Sequence, residues 1–230
     1  GEFPAERFVD MTLRLLATET ESTTFRYALA CMSTTAHHYV APARRDDVLR
    51  HVAAELWTLA NAAEAGSDTQ FQLVTAYLGY GEEGDAAFAA NAHGLLDGTV
   101  RLEGLEIDNN FTWTIVQALT SVNEMTNDGV DAQLAKKETT ENREFAYGAR
   151  ASMATAEAKE WAWDQALHND ELTNSQLEAV ARGFSATLVK LGDAWLDEHI
   201  AADNALKRLI VENVASSHRT LKVREYNEAL

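Results

Sequence analysis

The chain of 230 residues has one cysteine, two prolines and twelve glycines. A single cysteine, Cys31, excludes an internal disulfide and favours a reducing compartment, so we expect a cytoplasmic protein or a fragment of a larger one. Cys31 lies in a helical pattern, where a buried, inert thiol is expected rather than a nucleophile. No run of about 18 apolar residues is present, so we predict no membrane span and no membrane partner.

Positive charge is also scarce. The chain has 19 Lys and Arg but 36 Asp and Glu, which gives a formal net charge of −17. An acidic surface repels a phosphate backbone, so we predict no nucleic-acid partner. After residue 200 there are five basic and four acidic residues, which places −18 on the first 200. A solvated surface explains this charge, and a field that attracts cationic groups such as a peptide amino terminus is the alternative.

The shortage of glycine and proline, with abundant alanine, glutamate and leucine, favours helix over sheet. Apolar periodicity of about 3.6 residues, together with capping residues, predicts a series of helices. They cover residues 5–18, a segment around 25–39, 45–65, a segment from 68, 85–96, a segment from 108 or 109, 128–137, 140–152, 155–168, 176–199 and a segment from 203.

Strand-like alternation occurs only in the segment DGTVRLEGLEIDNN, residues 97–110, which is too short and too rich in glycine for a sheet. We interpret it as a long loop. Short loops between helices force antiparallel neighbours. The sequence therefore predicts a single all-α domain over residues 1–230, built of antiparallel helix pairs stacked as an α-solenoid in a HEAT- or armadillo-like bowl.

A zinc hydrolase would need two histidines on one helical face, and none of the seven histidines begins a His-Glu-x-x-His motif. His51 and Glu55 share a helical face, but two ligands do not make a metal site. His37 and His38 close a helix, where imidazoles can bind free carbonyl groups. No nucleophile elbow, phosphate loop or dinucleotide motif is present, so we predict no catalytic, cofactor-binding or metal-binding residue in this chain.

The segment TAEAKEWAWDQALHNDELTNSQLEAVARGF, residues 155–184, contains no obvious nucleophile, no metal-ligand spacing and no glycine-rich loop, but it closely resembles part of a known family. It is similar to the C-terminal helical domain of actinobacterial aminopeptidase N, a zinc aminopeptidase of the gluzincin class. The matching positions are Arg150, Ala151, Thr155, Ala156, Glu157, Ala158, Lys159, Trp163, Leu172, Asn174, Ala179, Val180, Gly183 and Phe184.

Three further blocks resemble the family in the same order along the chain: GSDTQFQLVTAY, GLLDGTVRLEGLEIDNNFTW and AWLDEHIAADNALKRLIVEN. The sequence departs from the family at two places. Thr112 stands where the family usually has arginine, so no charge role is carried over there. Roughly 50 residues expected near 184–187 are missing, which indicates deleted or omitted helices.

The resemblance implies a division of labour within a longer polypeptide. The zinc and the segment that binds the substrate amino group would lie upstream, so zinc belongs to the parent enzyme and no cofactor to this chain. The helical bowl would cover the catalytic domain of the same polypeptide, its expected partner. It would limit access to peptide substrates, and closure would exclude water during removal of N-terminal residues.

Two tryptophans of this segment, Trp161 and Trp163, lie about 200° apart around a helix and are expected to pack against different neighbours. Arg150, Arg101 and Lys159 could meet a peptide carboxylate inside the bowl. We expect all three to be solvent-exposed helix charges instead.

Two other functions stay open at this point. The chain could be a free-standing helical-repeat scaffold that binds a protein partner through its concave face. It could also be an independent enzyme that uses acidic pairs such as Asp46-Asp47 or Glu82-Glu83. Those pairs lie at turns or helix starts, where the helix dipole favours negative charge.

Overall fold

The computed structural model describes residues 3–82 and 84–187. Within this part all regular structure is helical and no strand occurs, which confirms the predicted all-α class. The ten helices found there are α1 (Ala5–Leu16), α2 (Ser22–His38), α3 (Pro42–Ala62), α4 (Asp68–Leu78), α5 (Ala86–Asp97), α6 (Asn109–Ser121), α7 (Asn127–Lys136), α8 (Thr140–Ser152), α9 (Ala156–His168) and α10 (Asn174–Thr187).

The predicted helix boundaries agree with the observed ones to within a few residues, and the third helix shows the largest shift. It begins at Pro42 instead of residue 45, because proline fits the first helical position, where its missing N–H is not needed. It ends at Ala62, since Ala63 is extended. The predicted helix 176–199 coincides with α10 up to Thr187, and its remainder, like the helix from 203, lies outside the described residues.

Two capping signals of the sequence are confirmed. The Ser67 hydroxyl accepts a hydrogen bond from the backbone N–H of Gln70 (3.1 Å) and starts α4. At α10, the backbone N–H of Gln176 donates to the Thr173 hydroxyl (3.2 Å), while the Thr173 N–H donates to the Gln176 side chain (3.0 Å). This reciprocal pair is a capping box and satisfies two donors that the helix itself leaves free.

The segment between α5 and α6 is a loop, as predicted. Gly104 has a left-handed φ of 76° and lies against the backbone of Gly66, where a Cβ on Gly104 would overlap the Gly66 nitrogen. This close approach requires glycine and holds the loop against the connection between α3 and α4. The Asp108 carboxylate then accepts from the N–H of Phe111 (2.7 Å) and starts α6.

Contacts divide the chain into two compact units, with the boundary inside α6 between Ala118 and Leu119. In the first unit α2 packs on α1, α3 and α4, and α3 packs on α1 and α4. In the second, α8 packs on α7, α9 and α10, and α9 packs on α10. Packing of successive helices is the arrangement of an α-solenoid, as predicted. The single domain over residues 1–230 stays a prediction.

None of the helices in the described part combines the length and the apolar character that crossing a membrane requires.

Helices α8 and α10 make the closest helix–helix contact of the second unit. A Cβ on Gly183 would overlap the carbonyl oxygen of Gly148 and lie 2.9 Å from the Cβ of Ala151. A Cβ on Gly148 would instead lie 3.4 Å from the nearest atom, the carbonyl oxygen of Ala179, which is an ordinary contact. The absence of a side chain at Gly183 therefore sets the spacing of these two helices.

We predict that Gly183→Ala lowers the free energy of unfolding by about 1–3 kcal/mol, because the added methyl group overpacks the contact between α8 and α10. Urea denaturation of the full chain, followed by circular dichroism, measures this change.

Gly148→Ala is the matched control, because it adds the same methyl group to the same contact without a clash. We expect it to be neutral or to raise stability by up to about 1 kcal/mol through helix propensity. Equal losses for the two variants would contradict the asymmetry.

Helix α2 begins with an unusual cap, the carboxylate of Glu21. Its side chain accepts hydrogen bonds from the backbone N–H groups of Thr24 (2.6 Å) and Thr23 (3.0 Å). These bonds, the one from Thr24 most strongly, lower the pKa of Glu21 from 4.5 to about 2. The charged carboxylate therefore stabilises the start of the helix.

We predict that the stability advantage of the wild-type chain over Glu21→Gln depends on pH. A lowered carboxyl pKa contributes stability above the ordinary value of 4.5, and this is lost as the pH falls towards about 2. Thermal unfolding of both chains across this range checks the prediction, and a difference between them that does not vary with pH would oppose it.

Candidate functional site

The two tryptophans of α9 contact aromatic rings on two different helices. Trp163 is buried, and its ring lies 5.8 Å from that of Phe184 on α10. Trp161 is half-buried and stacks on Tyr147 of α8, with ring centres 5.8 Å apart and planes 20° apart. Both belong to one apolar cluster with Val180. These contacts agree with the predicted packing role.

A groove of about 460 Å³ opens beside Trp161 in the second unit. We call it the α9 groove. It is formed by the start of α7, the end of α8 and the first turns of α9, and its lining residues are Asn127, Asp131, Arg150, Met153, Thr155, Glu157, Ala158 and Trp161. An aromatic ring and three charged side chains thus share one concave surface.

Arg150 lies in this groove and is already paired. Its guanidinium donates to the carboxylate of Asp131, and the Arg150 side chain is 24% exposed against 60% for Asp131. The sequence predicted a solvent-exposed charge at Arg150, which is wrong, since most of this side chain is covered. The pair fixes the guanidinium at the edge of the α9 groove.

The same prediction is also wrong for Lys159, which is completely buried. Its ammonium donates to the carbonyl oxygen of Ala151 (2.5 Å) and to the hydroxyl of Thr187 (2.6 Å), with a longer contact to the carbonyl of Gly183 (3.4 Å). It also lies 5.7 Å from the centre of the Phe184 ring. Burial of an ammonium group requires such polar partners, so its task is to join helices rather than to meet a peptide.

The hydrogen bonds of Lys159 continue into a buried chain. The Thr187 hydroxyl donates to the carbonyl of Ser152 (2.8 Å), and the hydroxyls of Ser152 and Thr120 lie 2.7 Å apart. All four residues are buried. The chain links α6, α8, α9 and α10 at the end of α8, where carbonyl groups lack helical partners.

We predict that Lys159→Met lowers the free energy of unfolding by about 1–3 kcal/mol. Methionine has a similar shape but leaves the buried acceptors without their donor. Chemical denaturation measures the loss.

Lys136→Met is the matched control, because the exposed Lys136 bonds only to Gln133 of its own helix among the described residues. We expect it to change stability by less than about 0.5 kcal/mol. A Lys159→Met chain as stable as this control would show that the buried network is dispensable.

A second groove, of about 390 Å³, lies in the first unit between the end of α5 and the following loop. Arg101 is exposed there, as predicted, and its guanidinium donates to the carbonyl of Gly98 (2.8 Å). Thr112 also lines this groove, and its hydroxyl donates to the carbonyl of Asp108 (2.7 Å). Most other lining residues are leucine, valine or isoleucine.

The side chains considered as metal ligands or as a catalytic acidic pair do not form a site in the described residues. In the described residues, no three His, Cys, Asp or Glu side chains are placed to hold a metal ion. His51 contacts Asp10 at 3.5 Å on the neighbouring helix α1, and Asp47 pairs with Arg50 at 2.8 Å. Cys31 is half-buried in α2.

The remaining candidates are the histidine pair His37-His38 and the acidic pair Glu82-Glu83. The ring nitrogen Nδ1 of His37 lies 2.9 Å from the carbonyl oxygen of Ser33, which fits the predicted role of closing the helix. Glu82 is described, whereas Glu83 lies outside the described residues.

In the described part, successive helices pack on each other and no strand occurs. This arrangement places the protein in the class of helical solenoid domains. The sequence model of the ERAP1-like C-terminal domain matches residues 1–216. The chain belongs to the ERAP1-like C-terminal domain family.

Aminopeptidase N of Streptomyces lividans is similar to this chain, with 33% identity over 149 residues. The alignment covers 65% of the chain and 17% of that protein. The chain therefore corresponds to less than a fifth of this relative. The predicted resemblance to the C-terminal domain of an aminopeptidase N is confirmed.

Sequence reasoning missed the burial of Lys159, although a signal was present. Lys159 shares its helical face with Ala162, Trp163 and Ala166, which are all buried. A lysine within such a small, apolar stripe faces the core, and the spacing alone could have indicated it. Arg150 and Asp131 lie on two different helices, and no sequence pattern indicated that they would form an ion pair.

Proposed function

We propose that this chain is the noncatalytic C-terminal helical domain of a zinc-dependent aminopeptidase N. In this proposal it covers the active site and shapes the access of peptides whose N-terminal residues are removed. The observation that carries the proposal is the family match over residues 1–216, together with the similarity to an aminopeptidase N. Within each unit, packing of successive helices is an arrangement suited to such a cover.

The zinc belongs, in this proposal, to the part of the parent polypeptide that precedes the domain. The described residues do not fit a zinc site, because no three potential ligands converge in them. The zinc would activate a water molecule for peptide hydrolysis. This chain would contribute by limiting the space around that site and by excluding bulk water when the two parts close.

The acidic surface supports the choice of peptide substrates. A free peptide amino terminus is cationic, and the first 200 residues carry a formal charge of −18. A wall with this charge raises the local concentration of cationic ligands. It also disfavours nucleic acids, and we place the protein in the cytoplasm because its single cysteine suits a reducing compartment.

The first test concerns the isolated chain. We expect no release of fluorophore from an aminoacyl-fluorogenic amide, with or without added zinc. Turnover that survives purification and disappears on chelation would contradict the noncatalytic role.

The same proposal can be tested in the parent polypeptide, by comparing it with a form that lacks this domain. The pair of substrates is an unstructured peptide and a folded protein with the same N-terminal residues. We expect the whole enzyme to prefer the peptide strongly and the shortened form to lose that preference. Identical preferences would show that the domain does not control access.

A further inference from the structure

We propose that the α9 groove binds the side chain of a basic residue, arginine or lysine, in a peptide. The guanidinium or ammonium group would lie over Trp161 and against the carboxylate of Glu157. The peptide's status as a substrate rests on the proposed function, whereas the groove's preference for a cation rests on its own chemistry.

The aromatic floor of the groove is held in a fixed orientation. Trp161 is half-buried, and one face of its indole stacks on Tyr147. Met153 and Ala158, both buried, complete the apolar lining beside it. A tryptophan that is stacked on one side and borders a groove offers its remaining surface to a cation without losing much side-chain freedom.

Of the described charged side chains around Trp161, one carboxylate is not engaged in an ion pair and can bind a ligand cation. Arg150 and Asp131 neutralise each other through their ion pair. Glu157 is exposed and has no ion-pair partner among the described residues. The groove therefore has a net negative charge, which a basic side chain can balance.

Glu157 and Trp161 lie one helical turn apart on α9 and both line the groove. Side chains at this spacing are neighbours on the helix surface. A flat guanidinium lying over the indole can direct its N–H groups towards the carboxylate one turn away. The apolar part of the arginine or lysine side chain would then contact Met153.

The volume of the groove, about 460 Å³, lies within the range of small-ligand sites and admits a long side chain with adjoining backbone. A ligand carboxylate is the competing occupant, since Arg150 also borders the groove. The charge of Arg150 is already balanced by Asp131, so a ligand carboxylate would enter a groove whose remaining charge, that of Glu157, is negative. The paired arginine and the available glutamate favour the cation.

The test uses the full chain labelled with ¹⁵N and follows the indole N–H of Trp161 by NMR. The signal is assigned by its loss in Trp161→Phe. The ligands are the capped tripeptides acetyl-Ala-Arg-Ala-amide and acetyl-Ala-citrulline-Ala-amide, which differ in charge but hardly in shape. We expect the arginine peptide to shift the Trp161 signal in a saturable manner and to bind at least about threefold more tightly than the citrulline peptide.

Two glutamates of α9 provide the matched variants. Glu157→Gln should weaken binding of the arginine peptide by about threefold, and added salt should weaken it in the wild-type chain. Glu160→Gln removes the same charge from an exposed position that does not line the groove, and it should leave the affinity unchanged. Circular dichroism verifies that both variants fold.

Four results would overturn the inference. They are no shift of the Trp161 signal by the arginine peptide, equal binding of the citrulline peptide, equal effects of the two glutamate variants, and tighter binding of acetyl-Ala-Ala-Ala with a free carboxylate. The experiment involves no hydrolysis, so a negative result leaves the proposed cover function standing. Failure of the activity tests would, conversely, leave the binding result intact.

Discussion

The contact between α8 and α10 at Gly148 and Gly183 is the constraint on which the second unit depends. Gly183 lies so near the Gly148 carbonyl that even a methyl group would overlap it. This proximity brings the end of α8 within reach of α10, so that one buried ammonium, that of Lys159, can bond to carbonyls of both helices. Wider spacing would leave those carbonyls without a donor in an environment where an unpaired polar group is costly. The close packing of α8 and α10 and the hydrogen bonds from Lys159 to their carbonyl groups therefore depend on each other.

Helix α9 has two different tasks on its two sides. Lys159 and Trp163 face the core and join α9 to its neighbours, whereas Glu157 and Trp161 line the α9 groove. Positions two apart on a helix point in nearly opposite directions, so the alternation separates anchoring from exposure within seven residues. The buried side fixes the position of α9. A fixed helix can hold an aromatic ring and a carboxylate in a constant relation to a ligand without a further loss of entropy.

The acidic character of the chain links the groove to the proposed cover function. In the proposed function, the parent enzyme removes N-terminal residues from substrates with a free ammonium group, and the negative charge of this domain would attract them from solution. The α9 groove would add a local preference, because there an available glutamate lies beside a tryptophan. In this proposal the negative charge of the whole domain and the α9 groove would both respond to the positive charge of a peptide, the first at long range and the second by direct contact.

The sequence alone determined the all-α class, the loop between α5 and α6, the capping box at Thr173 and most helix boundaries to within a few residues. These features depend on interactions within a few positions along the chain, which periodicity and capping residues record. Resemblance of four ordered segments also determined the family. Only the tertiary structure decided that Lys159 is buried, that Arg150 pairs with Asp131 and that a groove opens beside Trp161. Each of these depends on which helices pack together and on the distance between them. A local sequence pattern does not determine the distance between helices that are far apart along the chain.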